Sequence, residues 1–103
     1  MARKTEFSGR GSVMELTDIR PPSNYRVVFF NDDYTTMEFV VDVLMKVFHK
    51  DRADAVKIME SVHKTGRAVV GVYVYDIAAT RRNMTVNMAR KEGFPLRCEL
   101  EED

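Results

Sequence analysis

NDDYTTME, residues 31–38, joins two segments of different character. An apolar run rich in β-branched and aromatic residues precedes it at residues 25–30 and predicts a buried strand. From Met37 to Phe48, apolar residues recur at helical spacing and predict a helix with one continuous apolar stripe. An amide and two carboxylates therefore stand at a strand-to-helix turn, beside an apolar helix face. This arrangement suits a ligand with a cationic head and an apolar side chain.

The first two predicted helices have recognisable ends. Thr35 and Glu38 form a T-x-x-E capping box, in which each side chain can satisfy a free N–H group at the start of the first helix. Asp51 can cap a second helix, and Gly66 is placed to end it in the left-handed conformation.

The second half of the chain predicts two strands around a third helix. RAVVGVYVY, residues 67–75, is apolar enough to be a central strand. Asp76 can cap the third helix, and Gly93 would stop it. Residues 94–100 alternate apolar and charged side chains, as a half-exposed strand does, with Pro95 at its first position. The order β-α-α-β-α-β predicts an α+β fold: a small single-domain sandwich whose three-stranded antiparallel sheet is covered by three helices.

Residues 1–20 mix charged and small residues without a helical or strand period, so we expect a flexible N-terminal tail. Two prolines at positions 21 and 22 favour extended chain at its end. We expect residues 21–103 to form one core domain.

The composition excludes several classes of protein. The 103 residues carry 16 basic and 16 acidic side chains, so no global field attracts nucleic acid or anionic lipid. The single cysteine, Cys98, excludes an internal disulfide and a cysteine-based zinc site, and favours a reducing compartment. No apolar run approaches a membrane span, and the N-terminus lacks the apolar centre of a secretory signal. We therefore expect a cytoplasmic protein.

The polar residues before the first helix allow two interpretations. Acidic pairs such as Asp32 and Asp33 commonly form turns and complement the positive helix N-terminus. If the capping box already satisfies the helix start, however, both carboxylates are surplus, and Asn31 adds an amide that can reach outward.

Other chemistry-bearing residues point to no catalysis. His63 lies on the apolar stripe of the second helix, where a lone histidine is most often a buried or half-buried structural residue. It has no partner at metal-ligand spacing, and Cys98 stands among leucines like an inert thiol. Met37 and Met59 fit either a core or an adaptable binding surface. We expect no catalytic residue, no metal and no cofactor.

At N-D-D-Y-T-x-M-E-F-V the chain resembles the ClpS family, N-end rule (N-degron) adaptors that deliver proteins with destabilising N-terminal residues to Clp AAA+ proteases. The likeness covers residues 21–100, about four-fifths of the chain, in the family's order and nearly its spacing. The further matching segments are P-P-S-x-Y at 21–25, D-V-L at 42–44, M-x-x-V-H at 59–63, G-x-A-x-x-G-V at 66–72, A-x-T at 78–80 and F-P-L-x-C at 94–98.

The resemblance implies a role for each matching residue. The α-amino group of a substrate with N-terminal Phe, Leu, Tyr or Trp would be held by Asn31, Asp33 and His63, with Asp32 supporting the negative field. Met37 would act as a gate against β-branched side chains. The apolar slot for the first side chain would be lined by Phe29 at its base and by Thr35, Met37, Val40, Met59, Val62 and Leu96.

The resemblance also implies a second surface. Asp76 and Arg81 stand where the family presents an acidic and a basic residue to the N-terminal domain of a Clp ATPase of the ClpA or ClpC type. The tail would engage the unfoldase during hand-off, and we expect a monomer.

Two residues depart from the family pattern. Thr36 replaces a proline that would pre-set φ at the helix start, which would loosen the pocket entry. Phe29 replaces a smaller aliphatic residue. If its ring points into the slot, the pocket shrinks and favours Leu over Trp; if the ring points to the core, specificity stays broad.

Two rival functions remain open at this point. A small nucleic-acid- or ribosome-associated domain would use the basic residues Arg67, Arg81, Arg82, Arg90 and Lys91 as its footprint, although neutral net charge argues against it. A hydrolase using Asp33 and His63 is a more distant possibility, since nothing in their spacing demands it.

Overall fold

A computed structural model describes residues 23–103, and the tail expected at residues 1–20 lies outside them. The elements are β1 (Asn24–Phe30), α1 (Met37–Lys46), α2 (Arg52–Thr65), β2 (Arg67–Val74), α3 (Tyr75–Glu92) and β3 (Arg97–Glu102). Both strand pairings are antiparallel. The predicted α+β fold and its β-α-α-β-α-β order are therefore confirmed.

The sheet has the strand order β2-β1-β3, so the expectation that residues 67–75 form a central strand is wrong. The central strand is β1, where Val27, Val28 and Phe29 are fully buried. In β2, by contrast, Val69 and Val72 are exposed. An apolar strand sequence does not show whether one or two neighbours will pair with it, because pairing depends on distant segments.

Helix α1 begins one residue later than the capping box predicts. Its N-cap is Thr36, in extended conformation with φ −77° and ψ 153°, and its hydroxyl oxygen accepts a hydrogen bond of 3.1 Å from the Phe39 N–H. Thr35 is therefore not the cap. Val43 and Leu44 on the inner face of α1 are fully buried.

The predicted ends of α2 are confirmed. The Asp51 carboxylate accepts a hydrogen bond of 2.8 Å from the Asp54 N–H, and Gly66 ends the helix with φ 91°. A left-handed residue at this position favours glycine, which has no Cβ to clash with the carbonyl group.

The start of α3 differs from the prediction, whereas its end agrees. The helix follows β2 directly, with Val74 as N-cap and no side-chain cap, so Asp76 lies inside the first turn. Gly93 ends the helix at φ 76°. Pro95 precedes β3 and is not its first residue, while Cys98 in β3 is buried as the alternation predicts.

The core lies between the helices and one face of the sheet. Alternation along β1 places Phe29 on this covered face and Val28 and Phe30 on the other. The opposite face carries ion pairs, with Glu101 accepting from Arg67 at 2.8 Å. Within residues 23–103, no helix combines the length and the apolar character needed to cross a membrane.

Candidate functional site

A cavity of about 410 Å³ opens where the loop after β1 meets α1 and α2. Its size is within the range of small-ligand pockets. All four residues expected at the α-amino group lie on its wall, as do five of those expected in the apolar slot. The lining consists of Asn31, Asp32, Asp33, Tyr34, Thr35, Thr36, Met37, Val40, Met59, Val62 and His63.

Two residues expected in the slot do not line this cavity. Phe29 is fully buried, and its ring packs edge-to-face on Phe48 with centroids 5.7 Å apart. Leu96 is likewise buried in the core. Both side chains belong to the core cluster that also contains Val40 and Val62 of the cavity lining. The Phe29 ring therefore does not narrow the cavity.

The loop before α1 is organised by Asp32. Its Oδ1 accepts hydrogen bonds from the N–H groups of Tyr34, at 2.8 Å, and Thr35, at 2.7 Å. Its Oδ2 accepts a third bond, of 2.7 Å, from the Thr35 hydroxyl. Partial burial pushes the pKa of Asp32 upward, but these bonds outweigh burial and hold the pKa below its ordinary value. The expectation of two surplus carboxylates therefore fails for Asp32, whose oxygens are used within the loop.

Asp33 and Asn31 are in a different position. Both side chains are exposed on the cavity wall, and neither makes a hydrogen bond or ion pair within residues 23–103. The Asn31 N–H donates to the Gly66 carbonyl oxygen at 2.9 Å, which ties the loop to the end of α2. This bond places the acceptor groups of the loop beside the last turn of α2, where His63 lies.

The opposite side of the cavity is apolar. Val40 and Val62 are buried at its base, and Met59 is partly buried. Met37 lies at the first position of α1 with 46% of its surface exposed. His63 is exposed, unlike the buried structural histidine that its position on the apolar stripe favoured. The site thus combines hydrogen-bonding groups and negative charge with an apolar wall.

Sequence reasoning assigned no role to Tyr34, and it placed Thr36 at the pocket entry without assigning it to the lining. Tyr34 is 76% exposed, which is unusual for a large aromatic side chain and makes it available at the cavity mouth. The positions of both residues in the sequence could have indicated that they line the cavity, because each lies directly between two residues that were assigned to the site.

Catalytic and metal chemistry find little support in the part of the chain that the structure describes. No group of three or more His, Cys, Asp or Glu side chains there is placed to hold a metal ion. Burial raises the pKa of the Cys98 thiol to about 12, so this group stays protonated and is a poor nucleophile.

Asp76 and Arg81 lie together on a separate groove of about 370 Å³. The Arg81 guanidinium stacks over the Tyr73 ring at 4.9 Å, which orients it. The other lining residues are Lys46, Val47, His49, Ile77, Thr80 and Met84, of which Ile77 and Met84 are large exposed apolar side chains. A groove with both charges and exposed apolar surface has the character of a protein-docking surface.

Three of the five basic residues proposed as a nucleic-acid footprint are engaged by other groups of the protein. Arg67 is paired with Glu101 on the outer sheet face. Arg82 donates to the Cys98 carbonyl oxygen at 3.1 Å, and Arg81 lies on Tyr73 in the groove of α3. These engagements weaken the nucleic-acid interpretation.

Comparison with known proteins identifies relatives over nearly the whole chain. Residues 20–99 match the family described as ATP-dependent Clp protease adaptor protein ClpS. The Clp protease adapter protein ClpS of Clostridium acetobutylicum is 46% identical over 102 residues, covering 99% of each chain. That of Lawsonia intracellularis is 48% identical over 97 residues, covering 94% of this chain and 89% of the relative.

A solved structure shows the same fold. Agrobacterium tumefaciens ClpS2, bound to L-phenylalaninamide, superposes with a TM-score of 0.78 at 37% sequence identity. The match covers 81% of this chain and 100% of that one.

Proposed function

The chain belongs to the ClpS family of ATP-dependent Clp protease adaptor proteins, and from this membership and its cavity we propose a specific cargo. It binds proteins whose N-terminal residue is bulky and hydrophobic, namely Phe, Leu, Tyr or Trp. It then delivers them to a Clp ATPase–protease. The role is recognition without catalysis, and the protein works in the cytoplasm, where a free thiol such as Cys98 stays reduced.

One observation carries the proposal: a single cavity unites a cluster of polar acceptors with an apolar wall. A free α-amino group has a pKa near 8 and is mostly cationic at neutral pH. Asn31 and Asp33 offer it acceptor oxygens, and the His63 imidazole offers a ring nitrogen. The side chain of the same residue would then lie against Val40 and Val62.

The magnitudes are adequate for a reversible adaptor. A hydrogen bond to a charged group contributes roughly 1.5–3 kcal/mol, and burial of a Phe or Leu side chain contributes a similar amount. Two or three such bonds and one anchor give roughly 5–12 kcal/mol before the entropy of association is subtracted. The upper end of this range, less about 4 kcal/mol for association, corresponds to a dissociation constant of about micromolar magnitude, which permits release of the cargo.

The shape of the cavity sets the proposed specificity. Because Phe29 packs in the core, its ring does not shrink the slot, and we expect Trp to bind as well as Phe and Leu. A polar first side chain would lose hydration without gaining a partner at Val40 and Val62. Met37, at the first position of α1, lines the cavity, and we expect it to act as a gate that meets the β-branch of Val or Ile.

A relative supports the same chemistry. Agrobacterium tumefaciens ClpS2 is bound to L-phenylalaninamide, a compound with a free α-amino group and a phenylalanine side chain. That ligand contains both groups that the cavity of this chain is suited to hold.

A fluorescence-anisotropy titration tests the proposal. The peptides carry the label at the C-terminus and differ only at the N-terminus: Phe, Leu, Trp, Val and acetylated Phe. We expect the first three to bind and the last two to fail, because acetylation removes the charge and Val meets Met37. Acetylated Phe binding within a few-fold of free Phe would refute the proposed recognition of the amine.

The docking surface needs a separate test. We propose that the groove bearing Asp76 and Arg81 binds the N-terminal domain of a ClpA- or ClpC-type ATPase. Charge reversal by Asp76→Arg or Arg81→Asp should weaken ATPase binding without changing peptide affinity. Glu60→Gln, an exposed change on α2, serves as control. Unchanged ATPase binding in both reversal variants would exclude this groove.

A further inference from the structure

A second groove continues from the cavity between α1 and α2. It has a volume of about 390 Å³. Met37 and Met59 line both this groove and the cavity, so the residues common to the two are apolar. Its lining is mostly apolar, with charges from both helices. The residues are Met37, Glu38, Val41, Asp42, Met45, Arg52, Val56 and Met59.

The apolar residues of this groove form a row along α1. Met37, Val41 and Met45 are spaced four residues apart, so they share one helix face. The eight residue steps from Met37 to Met45 span about 12 Å at 1.5 Å per step. An extended peptide covers that distance in roughly three to four residues at 3.3–3.6 Å each. A chain whose first side chain fills the cavity would thus reach Met45 with about its fourth residue.

The groove between α1 and α3 is a less suitable path. It is larger, about 630 Å³, but it shares only Thr36 with the cavity. Its walls carry three carboxylates and two ammonium groups, and Asp42 and Lys46 are joined there by an ion pair of 3.1 Å. An apolar peptide side chain would have to displace water from these charges.

We propose, resting on the proposed function, that residues two to four of the bound substrate lie along the α1–α2 groove. The adaptor then prefers substrates with apolar side chains at these positions. Three of the groove's side chains are methionines, which are unbranched and flexible, and this suits a surface that must accept several apolar side chains. Glu38 and Asp42 on the α1 side disfavour acidic substrate residues near the N-terminus.

Met45 offers the sharpest test, because it lines this groove but not the cavity and is 36% exposed. Peptides beginning Phe-Leu-Leu-Leu and Phe-Ser-Ser-Ser, identical beyond, are titrated against the wild-type chain and Met45→Ala. We expect the wild type to bind the leucine peptide about fivefold to tenfold more tightly than the serine peptide, because the leucine side chains are partly buried in the groove. Met45→Ala should reduce that preference to about twofold, with the serine peptide nearly unaffected.

Control variants separate the possible causes. Met84→Ala removes an exposed methionine of α3 that lines the proposed ATPase groove and not the α1–α2 groove, so it should leave the peptide preference intact. Met88→Ala alters the α1–α3 groove. If Met88→Ala abolishes the preference while Met45→Ala preserves it, the substrate follows the other groove and the inference is overturned. Circular dichroism checks that each variant is folded. If Met45→Ala does not fold, Met45→Gln, which is polar but of similar length, takes its place.

Failure of this inference differs visibly from failure of the proposed function. Equal binding of the leucine and serine peptides, with acetylated Phe still rejected, would overturn the groove alone. Equal binding of free and acetylated Phe peptides would overturn the proposed function and the groove with it.

Discussion

Asp32 and Thr35 are joined by two hydrogen bonds of 2.7 Å each, one from the Thr35 N–H to Oδ1 and one from the Thr35 hydroxyl to Oδ2. The same carboxylate also accepts from the Tyr34 N–H. A chain segment that would otherwise be a mobile turn is thereby closed on itself before any ligand arrives. Its neighbour Asp33 remains available on the cavity wall. Two adjacent residues of one type thus differ in their surroundings: the Asp32 carboxylate is used within the loop, and Asp33 lines the cavity.

Replacing Asp32 should therefore destabilise the fold. Asp32→Ala removes the acceptor of three hydrogen bonds and should cost roughly 1–3 kcal/mol after allowance for solvent exposure. Asp32→Asn keeps one acceptor oxygen and should cost less. Urea unfolding measures both values, with Asp33→Ala as the matched neighbour, expected within about 0.5 kcal/mol of wild type. A larger loss from Asp33→Ala than from Asp32→Ala would contradict this division.

Replacing Asp33 should instead weaken binding. Asp33→Asn removes the charge opposite the substrate amine and should raise the dissociation constant about tenfold or more, the equivalent of one charge-assisted bond. Anisotropy with an N-terminal Phe peptide measures the effect. Glu60→Gln makes the same change of charge on an exposed part of α2 and should leave the affinity unchanged. Normal affinity in Asp33→Asn would remove this residue from the amine site.

The loop should respond to acid in a defined direction. Because the pKa of Asp32 is lower in the folded chain than its ordinary 3.8, its stabilising effect is fully present above about pH 4. The effect is lost as pH falls through the folded pKa, when the carboxylate becomes protonated. A carbon-detected NMR titration of the Asp32 carboxyl group should give a midpoint below 3.8. A midpoint above that value would show that burial outweighs the hydrogen bonds.

The ends of a helix could be predicted from the sequence where the capping residue and the group it caps are close together in the chain. Asp51 capped α2 as predicted, and Gly66 ended it, since each depends only on residues of the same helix. The start of α1 was placed wrongly because two consecutive threonines can each serve as a cap. The choice depends on Asp32, whose bonds to Thr35 leave Thr36 as the N-cap.

The arrangement of segments that are far apart in the chain was harder to predict from the sequence. Whether β2 is central or at an edge depends on pairing between segments far apart, and the strand's own composition does not reveal it. The direction of the Phe29 ring likewise depends on which sheet face the helices cover. The acidic turn was foreseen from the residues themselves, but its pairing with Met59, Val62 and His63 of α2 came from the family resemblance, which carries long-range information that local periodicity lacks.

Substitutions at Thr36 test whether the proline that the family usually has at this position would stabilise the fold. The residue already has φ −77°, close to the value that proline imposes, and it caps the Phe39 N–H. Thr36→Ala should cost about 1 kcal/mol through loss of the cap. Thr36→Pro loses the same bond but recovers about 0.4–1 kcal/mol by restricting the unfolded chain, so it should be the milder change. Thermal unfolding compares the two, and a greater loss from proline would show backbone strain at this position.

Cys98 should resist modification in the folded protein. The side chain is buried, and the pKa of the thiol is raised to about 12, so almost no thiolate exists at neutral pH. A disulfide reagent added in excess should label it only at the rate of unfolding, and urea should accelerate labelling sharply. Rapid labelling without urea would indicate local opening of β3.

Helix α1 has only ten residues, and the two proposed binding surfaces lie at its two ends. Met37 belongs to the cavity, while Lys46 belongs to the groove that holds Asp76 and Arg81. A helix of this length holds its two ends about 15 Å apart. The length of α1 therefore sets the distance between the cavity and the docking groove. A substrate that follows the α1–α2 groove to Met45 would span most of that distance, so its fourth residue would lie next to Lys46, at the edge of the surface proposed for the ATPase.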